Sequence, residues 1–232
     1  MRVNIAAKMH EFKNENILFE GAQGAMLDID SGTYPYVSSG ASGSYGASSG
    51  AGIGPKAIDK IYGVFKAYET RVGNGPMPSE FDAETEGELC DYVRNTGNEF
   101  GVTTGRPRRC GYLDLVALRY ACFVNSIDNL VLTHLDIYDD MNEIEACVAY
   151  DIDGKIVTDF PTSIPDLNKA KPVLKKFPGW KQAITACTSY KKLPKNAKAY
   201  VQFIEEFTET KVGIVSVGAD RNQTFIREKI WR

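Results

Sequence analysis

The sequence predicts an α/β protein whose strands end in small polar or glycine-bearing loops. Three apolar runs, within residues 17–24, 129–136 and 212–221, each pass directly into such a loop. Apolar residues recur at three- and four-residue spacing in residues 111–123 and 194–207, which predicts amphipathic helices between the strands. Open α/β sheets bind ligands at the carboxyl ends of their strands, so we expect a ligand site at these loops.

The composition is ordinary for a globular protein and excludes several classes of function. The chain has 232 residues, 43% apolar and 25% charged, and no convincing boundary divides residues 1–232. The net charge of −3 argues against a nucleic-acid-binding protein. The five cysteines form no C-x-x-C pair and there are two histidines, which argues against zinc, a disulfide framework or a multi-histidine metal site. Without a signal peptide or an apolar run of about 18 residues, we expect a cytoplasmic protein that spans no membrane.

The first third of the chain gives short local signals. Residues 1–16 favour a short helix, residues 17–19 a buried strand, and residues 55–68 an amphipathic helix with proline in its first turn. The glycines of residues 20–24 do not form a phosphate-binding P-loop. Gln23 in this turn could bind a purine edge or an amide-like group, or it could cap the turn.

The following segments leave alternatives open. Asp28 and Asp30 could bind a metal, but such residues more often cap turns by accepting from backbone amides. Residues 38–54 are almost wholly Ser, Gly and Ala, which fits either a flexible hinge or a packed loop close to a ligand. Residues 71–80 read as a loop, and residues 81–96 are acidic and helical in part.

Residues 101–109, here called the arginine loop, combine two threonines, two glycines and three arginines. Arginine presents a planar fork of N–H donors that matches a carboxylate or phosphate, threonine adds hydroxyl donors, and glycine lets the backbone approach a ligand. We expect this loop to bind a small carboxylate; an ordinary basic surface turn is the alternative. The helix expected over residues 111–123 would begin just after the loop and favour an anion there.

The second half of the chain predicts a strand over residues 129–134 that delivers His134 and Asp136 at its carboxyl end. The Asp136 carboxylate could accept from two N–H donors of a base such as guanine, although both side chains could be structural. A hairpin over residues 144–158, a peripheral excursion over 159–192, a helix over 194–207 and a strand over 212–217 are expected to follow. No Ser-His-Asp or Cys-His arrangement is evident. These residues alone predict a nucleotide- or carboxylate-binding α/β protein.

The sequence resembles the adenylosuccinate synthetase family from about residue 17 to its C-terminus. The resemblance lies in five segments that follow the family's order and spacing: FEGAQG at 19–24, LDID at 27–30 with GTYP at 32–35, KAY at 66–68 with TRVG at 70–73, GNEFGVTTGRPRR at 97–109, and LTHLD at 132–136.

The resemblance implies a nucleotide-binding synthetase fold, with a large mixed central sheet flanked by helices. It implies a ligase of AMP biosynthesis that makes adenylosuccinate from IMP, aspartate and GTP with Mg²⁺, as a homodimer in the cytoplasm. The γ-phosphoryl group of GTP would move to the 6-oxygen of IMP, and the aspartate amine would then displace it.

The resemblance also implies roles for particular residues. Gln23 would lie at the 6-position of IMP, and Arg108 would bind aspartate and stabilise the transferring charge. The residues implied at the IMP site are Gln23, Ser38, Val72 and Arg106. Those implied at the aspartate site are Val102, Thr103, Thr104, Gly105, Arg106, Pro107 and Arg108. Those implied at the GTP site are Arg108, His134, Leu135, Asp136, Ser216, Val217 and Gly218. No residue is implied as a metal ligand.

The sequence departs from the family's pattern in three places. His134 stands where the family typically has lysine, and Ser38 where it usually has threonine, within a divergent stretch over residues 38–54. Nothing matches the family's N-terminal phosphate loop with its catalytic Asp and downstream His, and His10 lies in no such motif. The general base and the main Mg²⁺ ligands are therefore expected to lie outside this sequence, and we expect the isolated chain not to perform the phosphoryl step.

Three hypotheses follow. The chain could be the C-terminal part of a synthetase, active only with a complementing N-terminal segment. It could instead be a short paralogue that binds nucleotide or aspartate as a regulatory module without turnover. An RNA-binding role for Arg106, Arg108 and Arg109 is remote, since the net charge opposes it. A family sheet cut in two would expose strand edges, so we expect pairing with another copy or with the missing half.

Overall fold

A computed structural model describes residues 3–101 and 105–231. The described residues form several mixed sheets with flanking helices, so the predicted α/β class is confirmed. The helices are α1 (Ile5–Glu11), α2 (Gly46–Ala51), α3 (Gly87–Thr96), α4 (Leu115–Asn125), α5 (Ile164–Lys169) and α6 (Lys195–Thr208). The strands are β1 (Tyr62–Lys66), β2 (Glu69–Arg71), β3 (Arg109–Gly111), β4 (Leu113–Asp114), β5 (Asn129–Thr133), β6 (Glu143–Ile152), β7 (Lys155–Val157), β8 (Lys171–Pro178), β9 (Lys211–Ser216) and β10 (Thr224–Ile226).

The first sheet has the strand order β1-β5-β9-β10. Strands β1, β5 and β9 run parallel, and β10 is antiparallel to β9. The second sheet is centred on β6, which pairs with β4, β7 and β8, while β2 and β3 form a separate two-stranded ribbon. One core cluster contains Leu132 of β5, Ile144 of β6 and Tyr200 of α6, so the two larger sheets share a hydrophobic core.

Several predicted elements are confirmed. The structure contains a short helix near the N-terminus, a helix in the acidic stretch, the strand before His134, the hairpin of β6 and β7, helix α6 and strand β9. Helix α6 buries Tyr200, Val201 and Ile204, as its apolar spacing predicts. Strand β10 was not predicted, because its three residues are too few to show a pattern.

Two predicted elements are wrong. Residues 17–19 form no strand, and Leu18 is 75% exposed, because no strand among the described residues pairs with them. Residues 55–68 form a 3-10 turn followed by strand β1, not a helix. The aromatic residues of β1 suit a strand, and Gly63 lets it approach Ile127, whose Cδ1 would lie 3.1 Å from an added Cβ.

Asp28 and residues 38–54 are parts of one packed segment. The carboxylate of Asp28 accepts from the amides of Asp30, Ser31 and Gly43 at 2.9–3.0 Å, so it caps turns as expected. The amide of Ser44 donates to Asn125 of α4 at 2.8 Å. The Ser/Gly-rich stretch is therefore a packed loop containing α2, and the hinge interpretation is not supported.

The segment over residues 159–192, expected to be a peripheral excursion, contributes to both sheet and core. Strand β8 pairs along the length of β6, and Trp180 and Ile184 are buried. Among the described residues, no helix combines the length and the apolar character needed to cross a membrane.

Candidate functional site

The parallel strands of the first sheet bring three loops to one edge. Lys66 at the end of β1 pairs with Thr133, the last residue of β5, and Leu132 pairs with Val215 of β9. His134 therefore follows β5, and Ser216 ends the neighbouring β9, so both lie at the carboxyl edge, as predicted for the ligand side of an α/β sheet.

His134 is held in a defined position at this edge. Its backbone is left-handed with φ of 57°, and the ring of Tyr68 meets its ring edge-on with centroids 5.7 Å apart. Burial, and then the charge of Lys66, lower the pKa of His134 below its usual value. The imidazole is therefore neutral at pH 7, where a lysine would carry a charge.

The neighbouring residues shape the rest of this edge. Leu135 and Val217 are fully buried, whereas Asp136 is half-buried. A Cβ on Gly218 would lie 2.2 Å from Oε1 of Gln223, so any side chain there would displace the Gln223 amide. The Ser216 hydroxyl donates to the Gly218 carbonyl at 2.9 Å, which leaves a compact turn beside β5.

The arginine loop is closed at its base by backbone contacts. The amide of Gly101 donates to the Arg106 carbonyl at 2.8 Å, and the amide of Gly105 donates to Gly101 at 2.7 Å. Pro107 forms an isolated bridge with Phe100, and Gly105 has φ of 64°. Three residues implied at the aspartate site, Val102 and the expected donors Thr103 and Thr104, lie outside the described residues.

The prediction that a helix begins directly behind the arginine loop is wrong. Helix α4 begins at Leu115, after β3 and β4, and the buried Asp114 side chain already accepts from its Ala117 amide at 2.9 Å. The start of the helix is occupied by this carboxylate, so its dipole does not serve the arginine loop.

A buried carboxylate, Glu99, joins the loop to the strand edge. Its side chain is 1% exposed and accepts from Lys66 at 2.5 Å, from the Tyr68 hydroxyl at 2.5 Å and from Nη1 of Arg108 at 2.6 Å. Burial opposes its charge, but the hydrogen bonds from these three residues outweigh that effect and lower the pKa of Glu99. The group is thus an ionised carboxylate between two cations.

The three arginines of the loop differ in their surroundings. Arg108 is half-buried, and its Nε is buried without a hydrogen-bond partner among the described residues. Arg109 is paired with Glu80 and donates to the carbonyls of Gly73 and Gly75, which makes it part of the scaffold. Arg106 is exposed.

The loop after β2 lies beside the arginine loop. Strand β2 pairs with β3, which places Arg71 opposite Arg109. Arg71 is buried and donates to the Thr33 hydroxyl at 3.0 Å and to the Tyr36 carbonyl at 2.9 Å. Val72, directly after it, is 72% exposed.

Ser38 follows the segment that Arg71 holds, and its hydroxyl donates to the Leu27 carbonyl at 2.9 Å. Ser38, Val72 and Arg108, which the resemblance implies at the substrate sites, therefore lie on loops that the side chains of Arg71 and Arg109 connect. Gln23 is exposed, with φ of 63°, and takes no part in the contacts above.

The described residues do not provide a metal site. No group of three His, Cys, Asp or Glu residues among them could hold an ion, and the Asp28 carboxylate is occupied by backbone amides. Two surface clefts, of about 740 and 630 Å³, are lined by other residues and contain none of the predicted site residues.

Lys66, Tyr68 and Glu99 are the site residues that sequence reasoning missed as contributors. All three lie in segments that resemble the family, but Glu99 is 33 positions from Lys66 and 31 positions from Tyr68 along the chain. Nothing in the local pattern around Glu99 shows that its carboxylate is buried.

Comparisons with known proteins agree with the resemblance. A family model described as adenylosuccinate synthetase matches residues 1–225, which includes the first 16 residues that the sequence resemblance left out. The adenylosuccinate synthetase of Clostridium perfringens is 50% identical over 218 residues, covering 94% of this chain and 50% of that protein. The one from Prochlorococcus marinus is 48% identical over 226 residues, covering 97% of this chain and 50% of that protein.

The solved structure of fully ligated adenylosuccinate synthetase from Plasmodium falciparum has a TM-score of 0.91 with this chain at 38% identity. The match covers 97% of this chain and 54% of that one. The chain thus spans about half the length of the curated relatives it matches.

Proposed function

Because the chain belongs to the adenylosuccinate synthetase family, we propose that it forms the aspartate- and base-binding part of a GTP-dependent ligase that joins aspartate to IMP. One observation carries the proposal. The segments that resemble the family's substrate loops are connected through the buried side chains of Arg71 and Glu99. A half-buried arginine, Arg108, whose Nε has no partner among the described residues, fits the carboxylates of aspartate.

The proposed roles divide the site into three parts. Arg106 and Arg108 bind the aspartate carboxylates together with residues 102–105 and Pro107, and Arg108 also stabilises the transferring charge. Gln23, Ser38, Val72 and Arg106 face IMP, with Gln23 at its 6-position. His134, Leu135, Asp136, Ser216, Val217 and Gly218 hold the guanine of GTP.

Guanine is the proposed base because Asp136 is available to accept from its two adjacent N–H donors. The neutral His134 ring supplies a flat surface at the place where the family typically has lysine. This base site therefore depends on Asp136 for recognition more than on a positive charge at position 134.

The general base and the main Mg²⁺ ligands are proposed to lie outside this sequence, since no segment of it resembles the family's phosphate loop. Magnesium would neutralise the phosphates of GTP when bound. We propose that a complementing N-terminal segment, or a second copy of the chain, completes the assembly. A cytoplasmic location is supported by the five free cysteines.

The test is adenylosuccinate formation from IMP, aspartate and GTP, followed by chromatography. The chain is assayed alone and with the N-terminal half of the Clostridium perfringens relative. We expect the mixture to be active and the chain alone to be inactive. Arg108→Gln in the mixture should lower the rate by about 100-fold or more, because a donor to transition-state charge is lost.

The alternative is a binding module without turnover, since no segment of the sequence resembles the family's phosphate loop with its catalytic Asp. An inactive mixture whose chain still binds GDP or IMP would support this alternative. A chain that binds neither nucleotide nor aspartate would contradict both functions.

A further inference from the structure

Glu99 is an unusual residue to bury unless it orients its partners. Its side chain is 1% exposed, and three donors from two different parts of the chain converge on it. A buried ion cluster seldom adds stability over a well-packed apolar group, because desolvation offsets the attraction. The carboxylate of Glu99 therefore contributes mainly by orienting its partners, and not by stabilising the fold.

The Arg108 side of the cluster determines where a guanidinium points. Nη1 of Arg108 donates to Glu99 at 2.6 Å, and the Arg108 amide donates to the Glu99 carbonyl at 2.9 Å. Two contacts with the same residue fix both the backbone and the fork of donors. The buried Nε, without a partner among the described residues, is held in that orientation.

The other side of the cluster reaches the strand edge. The Tyr68 hydroxyl donates to Glu99 at 2.5 Å, and the Tyr68 ring packs edge-on against His134. Lys66, at the end of β1, donates to the same carboxylate and to Thr70 at 3.1 Å. The carboxylate thus contacts Arg108 of the arginine loop directly, and it is linked to His134 through one residue, Tyr68.

We propose that Glu99 is a positioning residue that orients the Arg108 guanidinium and, through Tyr68, the His134 ring, so that one carboxylate links the carboxylate-binding and base-binding parts of the site. This inference rests on the proposed function of that site. Glu80 provides a matched comparison, since it pairs with the adjacent Arg109, whose guanidinium also donates to the carbonyls of Gly73 and Gly75.

The experiment measures dissociation constants of the chain for L-aspartate and for GDP by calorimetry. Glu99→Gln keeps the shape but removes the charge, and should weaken aspartate binding by about tenfold and GDP binding by about fivefold. Tyr68→Phe keeps the ring but removes its anchor, and should weaken GDP binding by about threefold while aspartate binding changes less than about twofold. Glu80→Gln should leave both constants within about twofold.

Each outcome bears on the inference. If the wild-type chain binds neither ligand, the proposed function fails and the inference fails with it. If the wild type binds and Glu99→Gln binds equally well, the inference is overturned while the proposed function stands. If Tyr68→Phe or Glu80→Gln weakens both constants as Glu99→Gln does, Glu99 is only a structural residue, which also overturns the inference.

A second variant covers the case in which Glu99→Gln does not fold, as judged by circular dichroism. Glu99→Asp keeps the charge but shortens the side chain by one methylene, so Arg108 is displaced. We expect aspartate binding about threefold or more weaker. Unchanged binding in a folded Glu99→Asp chain would overturn the inference.

Discussion

Asp28 is fully buried and accepts hydrogen bonds from the amides of Asp30, Ser31 and Gly43. The Tyr45 hydroxyl donates to the same carboxylate. Burial opposes the charge of Asp28, but the Tyr45 hydroxyl and the three amides outweigh it and hold its pKa well below the usual range. This single side chain therefore organises the packed loop that carries Ser38.

Asp28→Asn should lower the free energy of unfolding by about 1–3 kcal/mol, because a neutral amide cannot accept from donors on both of its ends. The folded pKa is depressed, so the stability from Asp28 is present above its unfolded pKa of about 4 and is lost as the pH falls through the folded pKa. Urea unfolding between pH 2 and about pH 7 measures this.

Asp30→Asn is the control, since Asp30 is exposed and its side chain should change stability by less than about 0.5 kcal/mol. Equal unfolding free energies for wild type and Asp28→Asn at pH 7 would contradict the assigned role of Asp28.

At the scale of elements, helix α4 and strand β6 meet at Asp114. Its carboxylate accepts from the Ala117 amide of α4 at 2.9 Å and from the Tyr150 hydroxyl of β6 at 2.7 Å. Burial raises the pKa of Asp114 above its usual value, and burial also raises the pKa of Glu69. The junction between helix and sheet therefore holds a proton more tightly than the unfolded chain does.

Wild-type stability should consequently fall as the pH rises from 5 to about 8, because a raised folded pKa gives stability that is lost as the pH passes through it. Asp114→Asn retains an acceptor for Ala117 but cannot ionise. Its loss of stability over this range should be smaller than that of the wild type by about 1–2 kcal/mol, measured by urea unfolding.

Asp159→Asn serves as the control for this pH effect, because the Asp159 side chain is 98% exposed. A pH dependence identical for wild type, Asp114→Asn and Asp159→Asn would show that Asp114 is not the titrating group.

At the scale of the whole molecule, the first sheet ends at β1, and no other strand of the described residues pairs with its outer edge. Val64, in the middle of β1, is 72% exposed. An open strand edge with an apolar side chain is a surface on which another chain can add a strand. This supports the proposed pairing with a second copy or an N-terminal segment.

Val64→Lys should abolish that pairing, because a charge in the middle of an edge strand disfavours strand addition. We expect the wild type to form a dimer, or a complex with the N-terminal half of a relative, and the variant to remain monomeric in light scattering. Ile226→Lys is the matched control, since Ile226 is 62% exposed on β10 at the opposite edge of the same sheet. A wild-type chain that stays a monodisperse monomer, both alone and mixed with the N-terminal half of the relative, would contradict the proposed pairing.

The sequence alone determined the α/β class, helix α6, strand β5 and the family, because these depend on sustained periodicity and on long motifs in fixed order. It also identified the loops expected to carry the site. The assignments to particular ligands remain predictions, and residues 102–104 lie outside the described structure.

Only the tertiary structure decided how short apolar runs behave and which charged residues meet. Residues 17–19 are all apolar and residues 62–66 include a glycine and a lysine, yet only the second run finds a partner strand, in β5. Glu99 meets Lys66 across 33 positions, while Arg109 turns away to Glu80. Strand pairing and ion pairing depend on groups distant along the chain, so local sequence patterns do not specify them.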